Sequence, residues 1–341
     1  MSQRKGKTPS MREVAAAAGV SHMTVSRVLN GNARIRPETK QKVQAAIEEL
    51  GYRPNTLARA LAAGRTHQIG MLIHAYSEYG PMNMLRAMYT AARDSGYVPI
   101  VYMLQDGLTE EFNQGLDVLT SRQVDGMVII APRSSSTEFI GSATLTAPSI
   151  LFSSINRTDD NIPLLHQACI DQHTGATLAV DHLISRGHKV IAHIAGPQDW
   201  FDAQNRLCAW QHCIAKSGLQ KPPVVIGDWS AESGYAAADK LLQIPGLTAV
   251  FAANDQMALG LIHGLTARGY RVPDDISVVG FDGQPDSGHF IPPLTTVHQD
   301  FDELGKLGMR MLVARIEGAE GQPSQRIQPE LIVRSSVRSL D

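Results

Sequence analysis

Through most of the chain, short apolar runs alternate with longer stretches whose apolar residues return every three or four positions. The runs IGMLI (69–73), VPIVYML (98–104), DGMVIIAP (125–132), SILFSSI (149–155), VIAHIAG (190–196), VVIGDW (224–229), AVFAAND (249–255) and ISVVGFD (276–282) read as buried strands. Between them, patterns such as GATLAVDHLISRGH (175–188) and SGYAAADKLLQIPG (233–246) read as helices. Regular strand–helix alternation predicts parallel, doubly wound α/β sheets over residues 67–341.

The first 53 residues carry a different pattern, with no strand-like run. Ser10 is placed to cap a helix, with Glu13 three residues on in capping-box position. Val14 and the alanines 15–18 follow, and Gly19 ends the segment. Ser21 can cap a second helix, on which Val25, Val28 and Leu29 make one apolar face. A third begins near Pro37, buries Val43, Ile47 and Leu50, and stops at Gly51. The alanines let the first two helices cross closely through a tight turn, which is a helix-turn-helix. In that arrangement the start of the second helix enters the major groove. There the chain holds His22, Met23, Thr24, Ser26 and Arg27. Hydroxyls suit phosphates and base edges, Arg27 a phosphate or a guanine, and Met23 a thymine methyl. Taken singly, Thr24 reads equally as a helix-surface residue and Met23 as core.

Charge strengthens the nucleic-acid reading. The whole chain of 341 residues has a formal charge of −2. Residues 1–65 hold 12 Lys/Arg against 4 Asp/Glu, a net +8, which leaves −10 for the remainder. A basic head on an acidic body suggests a polyanion-binding module joined to something else. Composition is that of a globular protein, 43% hydrophobic and 19% charged. No apolar run approaches a membrane span, and the basic N-terminus leads into no apolar signal core. The expectation is therefore a cytoplasmic protein. The three cysteines have no CxxC or metal spacing and read as buried thiols. Neither a metal nor a cofactor is expected. The chain has no GxGxxG after a strand, no P-loop, no GxSxG and no HExxH, so an enzyme is not expected either.

After Pro54–Asn55 comes TLARALAA, about two turns of helix before Gly64. A helix this short is marginal alone in water and needs a partner, either DNA or a second copy of itself. Leu61 is placed to wedge into a minor groove.

In the body, ligands are expected beyond the carboxyl ends of the strands. Those ends carry GPQDW, GDWS, ANDQ and FDG. Asn254, Asp282 and Arg206 can fork to vicinal hydroxyls, and Trp229 offers a flat face to a sugar ring. Each also has a plain alternative. Asn254–Asp255 can simply cap a helix, Asp282 can hold a turn, and Trp229 can be core.

MREVAAAAGVSHMTVSRVLNG, ELGYRPNTLARAL and the body from about Ser10 onward resemble the LacI/GalR family of bacterial transcription regulators. GDWSAESGY, FAANDQMALG, ISVVGFD and IPPLTTVHQDF are most similar to its lactose-repressor branch. The resemblance implies a helix-turn-helix head over 1–53, a hinge helix and linker over 54–66, and a two-lobed periplasmic-binding-protein-like body over 67–341. It implies a first lobe of 67–167 with 299–327 and a second of 168–298 with 328–341. It also implies DNA contacts from Ser10, Ser21, His22, Met23, Thr24, Ser26, Arg27, Asn30, Asn55, Arg59, Leu61 and Ala62. The effector pocket would take Ser153, Asp202, Arg206, Trp229, Asn254, Asp282, Gln299 and Phe301. Four features depart from the pattern, one of them the segment HAYSEYGPM (74–82). Arg36 stands before Pro37 where a small capping residue is usual. Ser153 stands where the branch has an Asp, and Ile130 where it has an Asn. The ending IVRSSVRSLD lacks a leucine heptad tail, so a homodimer is expected rather than a tetramer. The implied function is repression at a near-palindromic DNA operator, relieved by a sugar. A purine-type corepressor that tightens DNA binding is the alternative on the same fold.

Overall fold

The computed structural model describes residues 9–29, 34–53, 64–74, 77–105, 109–136, 140–141, 144–155, 166–319 and 324–340. The chain forms two units, Met1–Thr66 and His67–Asp341.

In the first unit, α1 (Met11–Ala17) starts at Ser10, whose hydroxyl accepts from Glu13 N at 3.3 Å. The Glu13 carboxylate accepts in return from Ser10 N, closing the capping box. Gly19, at φ +63°, supplies the left-handed turn into α2 (His22–Leu29). The third helix, α3 (Pro37–Leu50), begins at Arg36 with no side-chain cap and ends on left-handed Gly51. Val14, Ala15, Ala18, Val25, Val43, Ala46 and Tyr52 form the buried centre. Ala46 thus takes a place in the core, while Ile47 and Leu50 pack around its edge.

The second unit holds two sheets. The first-lobe strands are β1 (Gln68–Ile73), β2 (Val98–Met103), β3 (Gly126–Ile130), β4 (Ser149–Phe152), β5 (His166–Ile170) and β11 (Ser324–Ile327). Their spatial order is β11-β5-β4-β3-β1-β2, and every pairing is parallel. Met71, Ile73, Val128 and Ile130 pack on one face against α4 (Tyr79–Asp94) and α10 (Phe301–Ile316). Leu72, Met127 and Ile129 alternate to the other face and meet α5 (Thr109–Ser121). Burial on both faces is why these strands read as unbroken apolar runs.

The second lobe repeats the plan with β6 (Ile191–Ala195), β7 (Val224–Ile226), β8 (Ala249–Ala252), β9 (Ser277–Asp282), β10 (Thr295–His298) and β12 (Glu330–Ile332). The order is β12-β10-β9-β8-β6-β7, parallel except for the β10–β12 edge. Its faces are covered by α6 (Gln172–Ser185) with α7 (Phe201–Lys216), and by α8 (Ala231–Leu241) with α9 (Asp255–Ala267). The last two helices touch backbone to backbone. A Cβ on Gly260 would lie 1.7 Å from the Ala231 carbonyl oxygen, so only glycine fits.

The chain passes between the sheets three times, after β5, after β10 and between β11 and β12. Because β5 runs to Ile170 in the first sheet, the first crossing lies past residue 167, where the sequence reading put it. No helix among the described residues is long and apolar enough to cross a membrane.

Candidate functional site: a polar helix start and an interlobe cleft

On α2 the first residues face outward. His22, Met23 and Arg27 are exposed, Thr24 and Ser26 half-buried, and Val25 faces the core. Met23 is 60% exposed, which rules it out of the core and leaves an apolar side chain presented to whatever the helix meets. Ser21 Oγ accepts from Thr24 N at 3.1 Å and lies 2.9 Å from Thr24 Oγ1, so these two hydroxyls hold the helix start together. The first turn of α2 has no acidic side chain to repel a phosphate. Ser10 is exposed at its cap position. Asn30, Asn55, Arg59, Leu61 and Ala62 lie outside the described residues.

In the body, the candidate cleft lies between the lobes, at the carboxyl ends of the strands. Its lining is Glu78, Tyr79, Gly80 and Pro81 from the start of α4, Trp200, Asp202 and Arg206 around the start of α7, and Trp229, Asn254 and Asp282. The cavity is about 30 Å³, room for water, and it is partly open to solvent.

Arg206 organises the floor. It is 3% exposed, and Asp202, one helical turn earlier, lies on the same face of α7. Its Nε donates to Gln172 Oε1 at 2.9 Å, and its Nη1 donates to the Ala253 carbonyl. Nη1 also stands 3.5 Å from Asp282 Oδ1, and Nη2 stands 3.9 Å from Asp202 Oδ2. The guanidinium plane lies 3.7 Å over the Phe281 ring. Asp282 Oδ1 accepts from Gln299 Nε2 at 2.8 Å. Burial still pushes the Asp282 carboxyl up to about 6, against the pull of Arg206. Deeper, Asp255 is pushed up to about 8, first by burial and then by Asp282. Burial and these two carboxylates raise Tyr79 to about 12.

Asn254 does two things at once. Its Oδ1 caps α9 by accepting from Met257 N at 2.9 Å, and its Nδ2 donates to the Trp229 carbonyl at 3.0 Å. Trp229 and Asp282 sit at φ +76° and +99°, a left-handed backbone that L-residues rarely adopt. Such strain gathers where a side chain must be aimed at a ligand. The Trp229 ring lies over Gly196, where a Cβ would fall 2.2 Å from it. Trp200 meets it edge-on with ring centres 5.6 Å apart. The Trp229 indole N–H is buried and has no partner among the described residues.

The structure therefore brings Asp202, Arg206, Trp229, Asn254 and Asp282 together around one cleft. The other three expected pocket residues are not in its lining. Gln299 stands behind Asp282 and links it to Gln172, whose Nε2 donates to Gln299 Oε1 at 2.9 Å. Phe301, 5% exposed, opens α10 inside the first-lobe core and backs Tyr79 at 6.0 Å. Ser153 turns inward, its hydroxyl without a partner among the described residues, while the neighbouring Ser154 donates to Asp202 across the lobes. Side chains alternate along an extended segment, so only one of the two serines can face the cleft side. Asn205 Nδ2 donates to the Ser154 carbonyl at 2.8 Å and reinforces that crossing.

Sequence reasoning missed Glu78, Tyr79, Gly80, Pro81, Trp200, Ser154 and Gln172. A signal existed for the first four, since SEYGP follows β1 at a strand's carboxyl end. Ser154 and Gln172 carried none, because their contacts join residues 48 and 127 positions away.

These features define a helix-turn-helix unit joined in one chain to a two-lobed α/β body with a polar, aromatic interlobe cleft. Residues 10–55 match the family model described as bacterial regulatory proteins, lacI family, and residues 180–337 match that of a periplasmic binding protein-like domain. The chain is 33% identical over 333 residues to the lactose operon repressor of Escherichia coli strain K12, covering 97% of this chain and 91% of that protein. It is 32% identical over 342 residues to the transcriptional repressor PurR of Haemophilus influenzae strain PittEE, covering 97% and 99%. Among solved structures, the lac repressor dimer bound to operator and the anti-inducer ONPF superimposes with a TM-score of 0.86 at 32% identity, covering 98% of this chain and all of that one. The chain belongs to the lacI family of bacterial transcription regulators. It is a DNA-binding transcriptional repressor of that family and not an enzyme.

Proposed function

We propose that this repressor controls sugar-utilisation genes and leaves its operator when a glycoside binds between the lobes of the body. The observation that carries this reading is the convergence of Arg206, Asp282, Asn254 and Trp229 on one cleft. Carboxylate, amide and guanidinium suit paired hydroxyls, and the tryptophan suits the C–H face of a ring. Two copies of the head, residues 1–53, would read the halves of a near-palindromic site through Ser21, His22, Met23, Thr24, Ser26 and Arg27. The segment 54–66 would act as the hinge, with Asn55, Arg59, Leu61 and Ala62 at the DNA. The family's solved dimer on operator supports a homodimer here. Gln299 and Phe301 act in this reading from behind the lining, through Asp282 and Tyr79.

The lining comes from both lobes, so a sugar seated in the cleft would touch both, and occupancy would be coupled to lobe geometry. The test is a thermal-shift screen of the purified protein against glycosides, with purines as controls. A ligand that binds only the folded state adds about 2.7 kcal/mol at 100 times its Kd. A melting shift with a glycoside, lost in Asp282→Asn, is the expected result. A shift with purines alone would replace the sugar reading with the corepressor one.

A further inference from the structure

The charge balance of the cleft narrows the effector further, on the premise that the effector is a sugar. Among the described residues its lining holds three carboxylates, Glu78, Asp202 and Asp282, against one cation, Arg206. That cation is already committed. Asp282 lies 3.5 Å from its Nη1 and Asp202 lies 3.9 Å from its Nη2. The Ala253 carbonyl and Gln172 take further N–H groups. Arg133 stands 5.2 Å from the Trp200 ring, but it is not in the lining and it faces Asp199 at 3.8 Å.

A phosphate or carboxylate entering this cleft would lose its water and find no uncommitted cation among the described residues of the lining. It would also meet Asp202 and Glu78, like charges in a site of reduced dielectric. Asp202 cannot readily turn away, because Ser154 donates to it from the other lobe. Arg133 Nε, outside the lining, is also buried without a partner among the described residues, but within the lining the unpartnered buried donor is the neutral Trp229 indole N–H, which suits an ether or hydroxyl oxygen.

We infer that Asp202 and Glu78, set beside an Arg206 already shared by two carboxylates, make the cleft a site for uncharged glycosides and close it to phosphorylated sugars and sugar acids. Asp202 is then a specificity-determining residue. Its hydrogen bond from Ser154 is the contact a ligand hydroxyl would compete for.

The experiment titrates the full-length protein with matched pairs while following tryptophan emission. Trp200 and Trp229 line the cleft, whereas Trp210 is buried in the second-lobe core. The pairs are cellobiose with its 6′-phosphate, lactose with its 6-phosphate, and methyl β-glucoside with methyl β-glucuronide. At least one neutral member should shift the emission, and its anionic partner should bind at least roughly tenfold more weakly. Asp202→Asn, whose amide oxygen still accepts from Ser154, should narrow that gap, and Glu78→Gln should do the same. An anionic member that binds the wild type as tightly as its neutral partner overturns the inference and leaves the sugar reading standing. A gap unchanged in both variants overturns the assignment to these two carboxylates. A panel silent in every arm overturns the sugar reading, and the inference falls with it.

Discussion

Arg206 and Asp255 are the residues whose environment departs furthest from water, and each makes a distinct demand. Arg206 holds Asp202, Asp282, Gln172 and the Ala253 carbonyl, and it lies flat on Phe281. Removing it leaves Asp282 buried beside no cation. Arg206→Ala should cost about 3–5 kcal/mol in urea unfolding, with the loss reduced when Asp282 is also replaced by Asn. Asp255 is a pH-sensitive case. Its carboxyl rises from 3.8 to about 8 on burial, so folding takes up a proton. The stability this contributes is complete below about pH 4 and is lost as pH rises through 8. Asp255→Asn keeps an oxygen that accepts from Gln284 N, while the Thr296 hydroxyl, which donates to Asp255 Oδ1, would turn to accept from the amide. Its melting temperature should gain on the wild type as pH rises from 5 to 8 and level off above that. A constant difference would show that Asp255 is ionised throughout.

At the scale of elements, packing decides where the site residues can stand. Gly260 lets α9 press onto the start of α8, and that contact sets Asn254 beside the Trp229 carbonyl. Gly260→Ala would drive a methyl into the Ala231 carbonyl. It should lower the unfolding midpoint and weaken ligand binding together, although residue 260 is not in the cleft lining. In the head, α3 begins at Arg36 without a side-chain cap. Arg36→Asp should stabilise the head by about 1 kcal/mol, read as slower hydrogen exchange in the first turn of α3. The elements themselves were largely legible in the sequence. Strands buried on both faces give continuous apolar runs, and capped helices announce themselves with Ser10 and Gly51. What links elements was not legible. Ser153 and Ser154 look alike in sequence, and only the turn of the chain after β4 sends one inward and the other across to Asp202. The family resemblance implies a pocket place for Phe301, and as the first residue of α10 it packs in the first-lobe core. Asn254 offered two readings, cap and ligand contact, and the structure shows its side chain serving as the cap while also lining the cleft.

Across the whole molecule, residues 1–65, head and hinge, carry a net +8 and the remainder a net −10. The head's charge predicts steep salt dependence of operator affinity, while the acidic body should discourage lateral binding along DNA. Regulation then requires that a ligand favour one lobe arrangement over another, because a ligand with equal affinity for both shifts nothing. The arrangement bridged from Ser154 to Asp202 and braced by Gln172 and Gln299 is one of them. A sugar seated beside Trp229 and Arg206 would hold another. The most direct measurement is fluorescence anisotropy of the full-length repressor on an operator selected from random-sequence DNA, repeated with the sugar that shifts its tryptophan emission. The account predicts that this sugar weakens operator binding by roughly 5- to 150-fold, the usual range of such couplings, and that Asp282→Asn abolishes the effect. A ligand that binds the cleft and tightens operator binding, or leaves it unchanged, would contradict it.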